Sequence, residues 1–416
     1  MPTGQRYLTA AEAAEALGVT RATLYAYASR GQLQSSEVPG HPRERRYSRD
    51  DIERLREKKE ARRDPSREAE RGLHWGSPVL ASGITLIDGG RLYYRGQDVL
   101  KLAERATLEQ VAHLLWETET AEQEKLFRQP SALSLRKLKA LRDCAGSVAE
   151  DPLCLLQTAL PLAGAADPAS YDLRATAVRQ TGARIIRLMT ALVTKRDSPL
   201  LAHQALQAAW APRRTAAAEA IRTALALCAD HELNVSAFTA RCAASAGASP
   251  YDAVSAALAT LKGHRHGGAT ERVSALFDET ENPRRARAVI ANRLRHGERL
   301  PGFGHPLYPG GDPRAGLLLR LAEASGNETE WRLTRAISKE AVHLLHDLPN
   351  LDFALVAIAR TYRLPRNAPL ILFALGRTVG WIAHAIEQYS TGELIRPRAR
   401  YTGIVPSLSA KGAASA

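Results

Sequence analysis

From Gly72 to the C-terminus one periodicity dominates the chain. Apolar residues return every three or four positions in SALSLRKLKALRD, ATAVRQTGARIIRLMTALV, AAAEAIRTALALCADH, AFTARCAASAG and DAVSAALATLK, with Pro, Gly or Asn between the runs. That spacing lines one face of an α-helix and leaves the other to solvent or a second helix. The exception is ITLIDGGRLYY, which reads as a short turn-rich hairpin. Strands never alternate with helices along this stretch, so a doubly wound parallel sheet is excluded and a mainly α architecture is predicted. A chain of 416 residues can bury more than one core, and two or three domains are expected. No fixed-period repeat, phosphate-binding glycine loop or His-Glu-x-x-His pattern is present.

The first 65 residues read differently. AAEAAEAL has helical spacing, Gly18 to Thr20 make a tight turn, and RATLYAYASR starts a second helix with Thr20 as N-cap and Gly31 as a C-terminal stop. Helix, turn and helix in this order form a helix-turn-helix pattern. A Pro/Gly turn inside the basic run Arg43, Arg45, Arg46 then predicts a hairpin, followed by a charged helix opened by Ser48. Together these resemble the winged helix-turn-helix of the MerR and excisionase type. The resemblance implies DNA contacts through Arg21, Tyr25, Arg43, Arg45 and Arg46, the second helix entering the major groove and the wing meeting phosphates. A small module for dimer contacts or regulation fits the same residues, because acidic side chains cancel much of the local charge. EKKEARRDPSREAERG mixes both signs around Asp64-Pro65 and reads as a linker, with a boundary near residue 66.

Composition limits the partners without choosing among them. A formal charge of +13 and a pI near 9.8 favour anions, which nucleic acid, phosphorylated cofactors and dicarboxylates all supply. Cys144, Cys154, Cys228 and Cys242 are scattered and are expected to be buried reduced thiols. The N-terminus carries no secretory pattern and no apolar run reads as long enough to span a membrane, so a cytoplasmic location without membrane attachment is expected.

Three stretches break the helical background: GHRHGGATERV (263–273), LPGFGHPLYPGGDPRA (300–315) and LPNLDFALVAI (348–358). Each sets an ionisable residue beside Gly, Pro or Asn, where a rigid scaffold offers chemistry and a ligand can approach the backbone. His266, His305 and Asp352 form an acid/base set. Arg314, Arg377 and Arg396 are dispersed guanidinium forks suited to carboxylates. His264, His266 and His305 also admit a metal-ligand reading through His-x-His, although their glycine-rich setting does not require one.

With DHELNVSAFT, HGGATE, LPGFGHPLYPGGDPRA, LPNLDF, GRTVGWIAHAIEQ and RPRARYTG in this order, the chain from about 72 to 405 resembles the citrate synthase family. YYRGQDVLKLAERATLEQVAHLLW matches that family's N-terminal portion. The resemblance implies a mainly α, two-domain helical fold: a winged helix-turn-helix over 1–65, a linker over 66–72, a large domain over 73–269 and 366–416, and a small domain over 270–365 that closes over substrate. It implies a two-fold homodimer with Arg396 reaching into the other subunit's site. It also implies roles: Asp352 as the base that deprotonates an acyl-CoA, His266 as donor to the enolate oxygen, and His305 as donor to the keto oxygen of oxaloacetate. His231, Arg314 and Arg377 would hold carboxylates, and the backbone of Leu300, Gly302 and Gly304 would receive the adenine of CoA. No permanently bound cofactor or metal is implied, acetyl-CoA or propionyl-CoA being a co-substrate.

Three departures bear on the acyl-CoA. Ala354, Leu355 and Val356 stand where relatives often carry Tyr-Ser-Gly. Pro309 and Gly310 stand where relatives often carry the Arg or Lys that meets a CoA phosphate. His264 and Arg265 replace a more usual Pro and small or apolar residue, and either could return positive charge.

Overall fold

The computed structural model describes residues 7–29, 33, 35–38, 41–48, 52, 80–128, 133, 136–137, 139–140, 143, 151–399 and 401–404. The chain divides into two compact units, Met1–Ala81 and Ser82–Ala416.

In the first unit β1 (Tyr7–Thr9) leads into α1 (Ala10–Leu17) and α2 (Arg21–Ser29), followed by β2 (Ser35–Val38) and β3 (His41–Ser48). Thr9 caps α1 reciprocally with Glu12, and Gly18 ends it in the left-handed conformation. The Thr20 hydroxyl accepts from Thr23 N at 3.2 Å, which starts α2. The basic stretch forms the expected antiparallel hairpin, and β1 extends it to a three-stranded sheet ordered β1-β3-β2. Three residues gave β1 too little periodicity to be read from sequence. Leu8, Ala13, Leu17, Leu24, Tyr47 and Ile52 close a small core beneath these elements. Gly31 and all but Ile52 of the charged helix expected after Ser48 lie outside the described residues.

The second unit opens with β4 (Thr85–Asp88) and β5 (Arg91–Tyr94), joined through Gly89 and Gly90, both at positive φ as this two-residue turn requires. β6 (Gln97–Asp98) extends the sheet. Helices then follow: α3 (Val99–Ala103), α4 (Leu108–Leu115), α5 (Thr120–Leu126), α6 (Pro152–Ala165), α7 (Ala175–Thr194), α8 (Ala202–Trp210), α9 (Ala217–Cys228), α10 (Val235–Ser245), α11 (Pro250–Leu261), α12 (Ala269–Thr280), α13 (Ala286–Arg295), α14 (Pro313–Glu323), α15 (Glu328–Leu345), α16 (Leu351–Thr361) and α17 (Ala368–Thr391). The fold is mainly helical, as the periodicity implied. Most of SALSLRKLKALRD lies outside the described residues.

Two apolar cores organise this unit. The larger surrounds α17, whose buried residues meet α4, α7, α9, α10 and α11. The smaller gathers Val273, Phe277, Ile290, Leu300, Ile337 and Phe353 from α12, α13, α15, α16 and the segment before α14. α16 serves both cores: Phe353 and Val356 face the smaller, whereas Leu351, Ala354, Leu355 and Ile358 face the larger. These two stripes at helical spacing explain why LDFALVAIA is apolar nearly all round.

α17 corrects the reading that no apolar run reaches membrane-spanning length. It has 24 residues with a mean hydropathy of 1.4 in its most apolar window, and 94% of that window is buried inside the protein. Its apolar surface belongs to the core. The cysteine expectation is corrected in part: Cys228 is buried, whereas Cys154 and Cys242 are partly exposed. Cys144 lies outside the described residues.

Candidate active site

The side chains singled out in the sequence come from the segments that follow α9 and α11, the loop before α14, the first residues of α14 and α16, the middle of α17 and the segment beyond it. His231 follows α9, where Glu232 turns the chain at φ +52° and Asn234 caps α10. Its Nε2 lies 2.9 Å from the hydroxyl of Tyr308, and its ring meets that of His305 at 5.2 Å between centroids. Burial, reinforced by Arg314 and Arg377, holds its pKa well below the usual value. The imidazole is therefore neutral.

His305 sits in the glycine- and proline-rich loop. Gly302 (φ +87°) and Gly304 (φ +72°) adopt a conformation costly for other residues. A Cβ on Gly302 would stand 2.9 Å from Val273 Cγ2 and 3.0 Å from Phe353 Cβ. The loop is tied to the turn before α16: Gly304 N donates to Leu348 O and Asn350 N to Gly302 O, both at 2.9 Å, and Asn350 Nδ2 donates to Gly304 O at 3.2 Å. His305 and Asp352 are thus positioned by one clasp. Leu307 N donates to His305 Nδ1 at 3.2 Å. Burial and Arg314 push the pKa of His305 down to about 4. A neutral ring accepting at Nδ1 carries its proton on Nε2, which leaves that nitrogen as a donor.

His266 occupies the turn between α11 and α12. Gly267 and Gly268 let this turn fold against the end of α11, since added Cβ atoms would come within 2.7 Å of Leu261 Cδ1 and 2.9 Å of Lys262 O. His266 Nε2 lies 2.8 Å from Ser236 Oγ, and burial and Arg377 lower its pKa to about 4. Ser236 Oγ accepts from Trp381 Nε1 at 3.1 Å. Its single proton can go to Asn234 Oδ1, 2.7 Å away, or to His266. In the second arrangement Nδ1 of His266 is the protonated nitrogen.

Asp352 is the second residue of α16, its N–H accepted by the capping Asn350. Its Oδ1 is buried and has no hydrogen-bond partner among the described residues. Burial raises its pKa to about 7, with Asp312 adding to the effect and Arg314 and Arg377 opposing it. Desolvation outweighs both cations, leaving a carboxylate of unusual basicity with a free oxygen.

The two buried arginines differ. Arg314 forms a fork with Asp312, Nε to Oδ1 at 2.9 Å and Nη2 to Oδ2 at 2.8 Å, and lies over the Tyr308 ring. Asp312 also caps α14 and accepts from Leu351 N. Burial disfavours the Arg314 charge, but Asp312 prevails and holds its pKa above the usual value. Arg377 donates through Nε to Cys228 O at 2.8 Å and stacks over Phe373. Among the described residues it has no carboxylate within ion-pair distance. Its placement depends on Gly376 and Gly380, where a Cβ would come within 2.6 Å of Cys228 Cβ and 2.4 Å of Ala229 O. α17 therefore lies close enough to the end of α9 for the guanidinium to reach a backbone carbonyl.

Leu300 is buried in the smaller core. Arg396 is exposed in the extended segment beyond α17 and makes no ion pair among the described residues. His264 and Arg265 are also exposed. No three His, Cys, Asp or Glu side chains form a metal-binding group among the described residues. In the first unit Arg21 and Tyr25 share the exposed face of α2, and Arg45 and Arg46 are exposed on β3. Arg43 falls on β3, with its side chain outside the described residues. Tyr308, Ser236 and Asp312 lie within the sequence motifs but take on a role only in the structure, whereas Asn350 is the helix cap that Pro-Asn-x-Asp implies. Asp312-Pro313 and Asn350 carried a readable helix-cap signal, whereas Ser236 and Tyr308 acquire their roles through distant partners.

Residues 72–398 match the family described as Citrate synthase, C-terminal domain, and residues 7–60 match a helix-turn-helix domain. Citrate synthase 2 of Bacillus subtilis is 30% identical over 367 residues, covering 80% of this chain and 96% of its own. A citrate synthase of Haloferax volcanii is 33% identical over 371 residues, covering 81% and 97%. A 2-methylcitrate synthase of Mycobacterium tuberculosis is 31% identical over 334 residues, covering 75% and 84%. Among solved structures, the ternary complex of citrate synthase from Thermoplasma acidophilum with carboxymethyl coenzyme A and oxaloacetate aligns with a TM-score of 0.70 at 26% identity, over 81% of this chain and 97% of that one.

Proposed function

Because this chain belongs to the citrate synthase family of condensing transferases, we propose that it joins acetyl-CoA to oxaloacetate, releasing citrate and free CoA. The observation that carries this reading is the buried Asp352, whose Oδ1 has no partner among the described residues and which lies in the field of Arg314 and Arg377, the same buried guanidinium groups that act on the neutral imidazoles of His305 and His266. Asp352 takes a proton from the methyl group of the thioester. The developing enolate oxygen receives a hydrogen bond from His266, without which a thioester α-proton is far too weak an acid for a carboxylate. The enolate carbon attacks the keto carbon of oxaloacetate, whose oxygen is polarised by Nε2–H of His305. Arg314, Arg377 and His231 orient the carboxylates, and water then cleaves the citryl thioester to citrate and CoA thiol. Closure of a small domain over 270–365, which carries the smaller core, against a large domain over 73–269 and 366–416 would delay that water.

Propionyl-CoA, giving 2-methylcitrate, is the alternative substrate, and relatives bearing both names have similar identity. One methylene in an apolar pocket changes discrimination by only about 1–3 kcal/mol. Purified protein with oxaloacetate should release thiol from one of the two acyl-CoAs, and Asp352→Ala should not. No thiol from either would overturn the reading.

A second reading concerns the helix-turn-helix unit, which we assign to the MerR and excisionase type on its hairpin and exposed α2 face. Arg21, Tyr25, Arg43, Arg45 and Arg46 would contact DNA, and a homodimer, completed at each site by Arg396 of the other subunit, would present two such units to a palindrome. Gel shifts on the upstream DNA of its own gene, with and without oxaloacetate and acyl-CoA, test it. No retardation under any condition would remove it.

A further inference from the structure

A cavity of about 280 Å³ lies at the C-terminal end of α16, the opposite end from Asp352. The 11-residue helix separates the two ends by about 16 Å at 1.5 Å per residue. Its floor is apolar and buried, formed by Val356, Ala359, Leu364 and Pro369, with the Ser274 hydroxyl beside them. Its rim carries Arg360, Arg363, Arg366, Asp278 and Glu330. The two carboxylates are already engaged. Asp278 accepts from Arg360 Nη1 at 2.9 Å and from Arg366, and Glu330 accepts from Arg360 Nε at 2.8 Å. Arg363 has no carboxylate partner among the described residues.

The backbone at Arg363 adds an independent observation. Leu364 N donates to Ala359 O at 2.8 Å and Arg363 N to Arg360 O at 3.1 Å, closing α16 in the manner that puts the residue after the C-cap into the left-handed region. That position ordinarily holds glycine, and here an arginine holds it at φ +54°. The strain is retained where a guanidinium reaches the rim of a cavity, the setting in which backbone strain accompanies function.

We propose that this cavity binds a small organic oxyanion, with Arg363 as its principal ligand, Arg360 and Arg366 flanking it, and the apolar floor receiving its body. Carboxylate and phosphate groups both suit planar guanidinium forks. The cavity lies between α12 and α15 of the smaller core and the start of α17, which bears Arg377. An occupant would brace the connection between the helices carrying Asp352 and Arg377. The inference does not rest on the proposed reaction.

Isothermal titration of the full chain with sodium tripolyphosphate and, separately, with tricarballylate at matched ionic strength distinguishes the two chemistries. Saturable binding is expected in one arm, weakened at least about tenfold in Arg363→Gly and also reduced in Arg366→Ala. Arg363→Gly should keep its thiol-release activity, if the wild type has one, and melt about 1–3 °C higher, because glycine relieves the left-handed strain. Equal affinity in wild type and both variants, or no binding in either arm, overturns the proposal.

Discussion

At the scale of single residues the site rests on opposed effects at Asp352, where desolvation overrides two nearby cations and leaves the pKa at about 7. In the proposed reaction only the ionised form is a base, so kcat/KM should climb about tenfold per pH unit below 7 and level off above it. The histidines, with pKa values near 4, should contribute no inflection between pH 5 and 9. A single rise in a pH–rate profile near 7 checks this, and a rise near 4 refutes it. Stability follows with a definite sign. A carboxyl whose folded pKa exceeds its unfolded value contributes most below the unfolded value, and that contribution is lost as pH rises through the folded one. Asp352→Asn should therefore lower kcat by about 10²–10⁴. It should also gain stability over the wild type progressively from pH 4 to 7, reaching a few kcal/mol in denaturant melts at pH 8. Of the residues involved, His266, His305 and Asp352 were legible because glycine, proline and asparagine broke a helical text around them. Ser236 and Tyr308 were not, since their hydrogen bonds reach His266 and His231, 30 and 77 residues away, and no local pattern records such pairings.

At the scale of elements, the placement of Arg377 depends on two glycines of α17 that lie against the end of α9. An added methyl at Gly380 would stand 2.4 Å from both Ala229 O and Asp230 Oδ1, closer than any relaxed contact allows. Asp230 cannot easily yield: it is fully buried, accepts from Thr85 Oγ1 at 2.6 Å and lies 3.3 Å from His384 Nε2. Gly380→Ala should therefore push α17 outward, at a cost of about 1–3 kcal/mol, and draw the Arg377 guanidinium away from Cys228 O. Thermal melts should show the destabilisation. Steady-state kinetics should show a larger rise in KM for oxaloacetate than for acyl-CoA. Periodicity and caps made most helices legible, but nothing in GRTVGWIAHAIEQ distinguishes a glycine that breaks a helix from one that admits a neighbour. The same blindness hid the length of α17, because an apolar run shared among several partner helices reads as several short ones.

At the scale of the whole molecule, two compact units with separate apolar cores raise the question of whether the first takes part in chemistry. Every side chain given a role in the proposed condensation lies between His231 and Arg396, and the described ones rest on elements of the second unit alone. A chain starting at Ser82 retains the larger and smaller cores entire, whereas the core it loses, around Leu24 and Tyr47, is built only from residues of the first unit. Thiol release by a variant spanning 82–416 should therefore stay within about twofold of the full chain in kcat and in both KM values. The charge balance sets the complementary expectation for the full chain. If Arg43, Arg45 and Arg46 of the wing neutralise phosphates, the affinity for DNA should fall steeply with salt, by roughly 0.9 in the logarithmic slope for each phosphate contacted. Removing residues 1–81 should abolish that binding. A truncated protein that binds DNA as before would move the interface to the strongly basic remainder. One that loses condensation activity while keeping its fold would make the first unit part of the catalytic assembly.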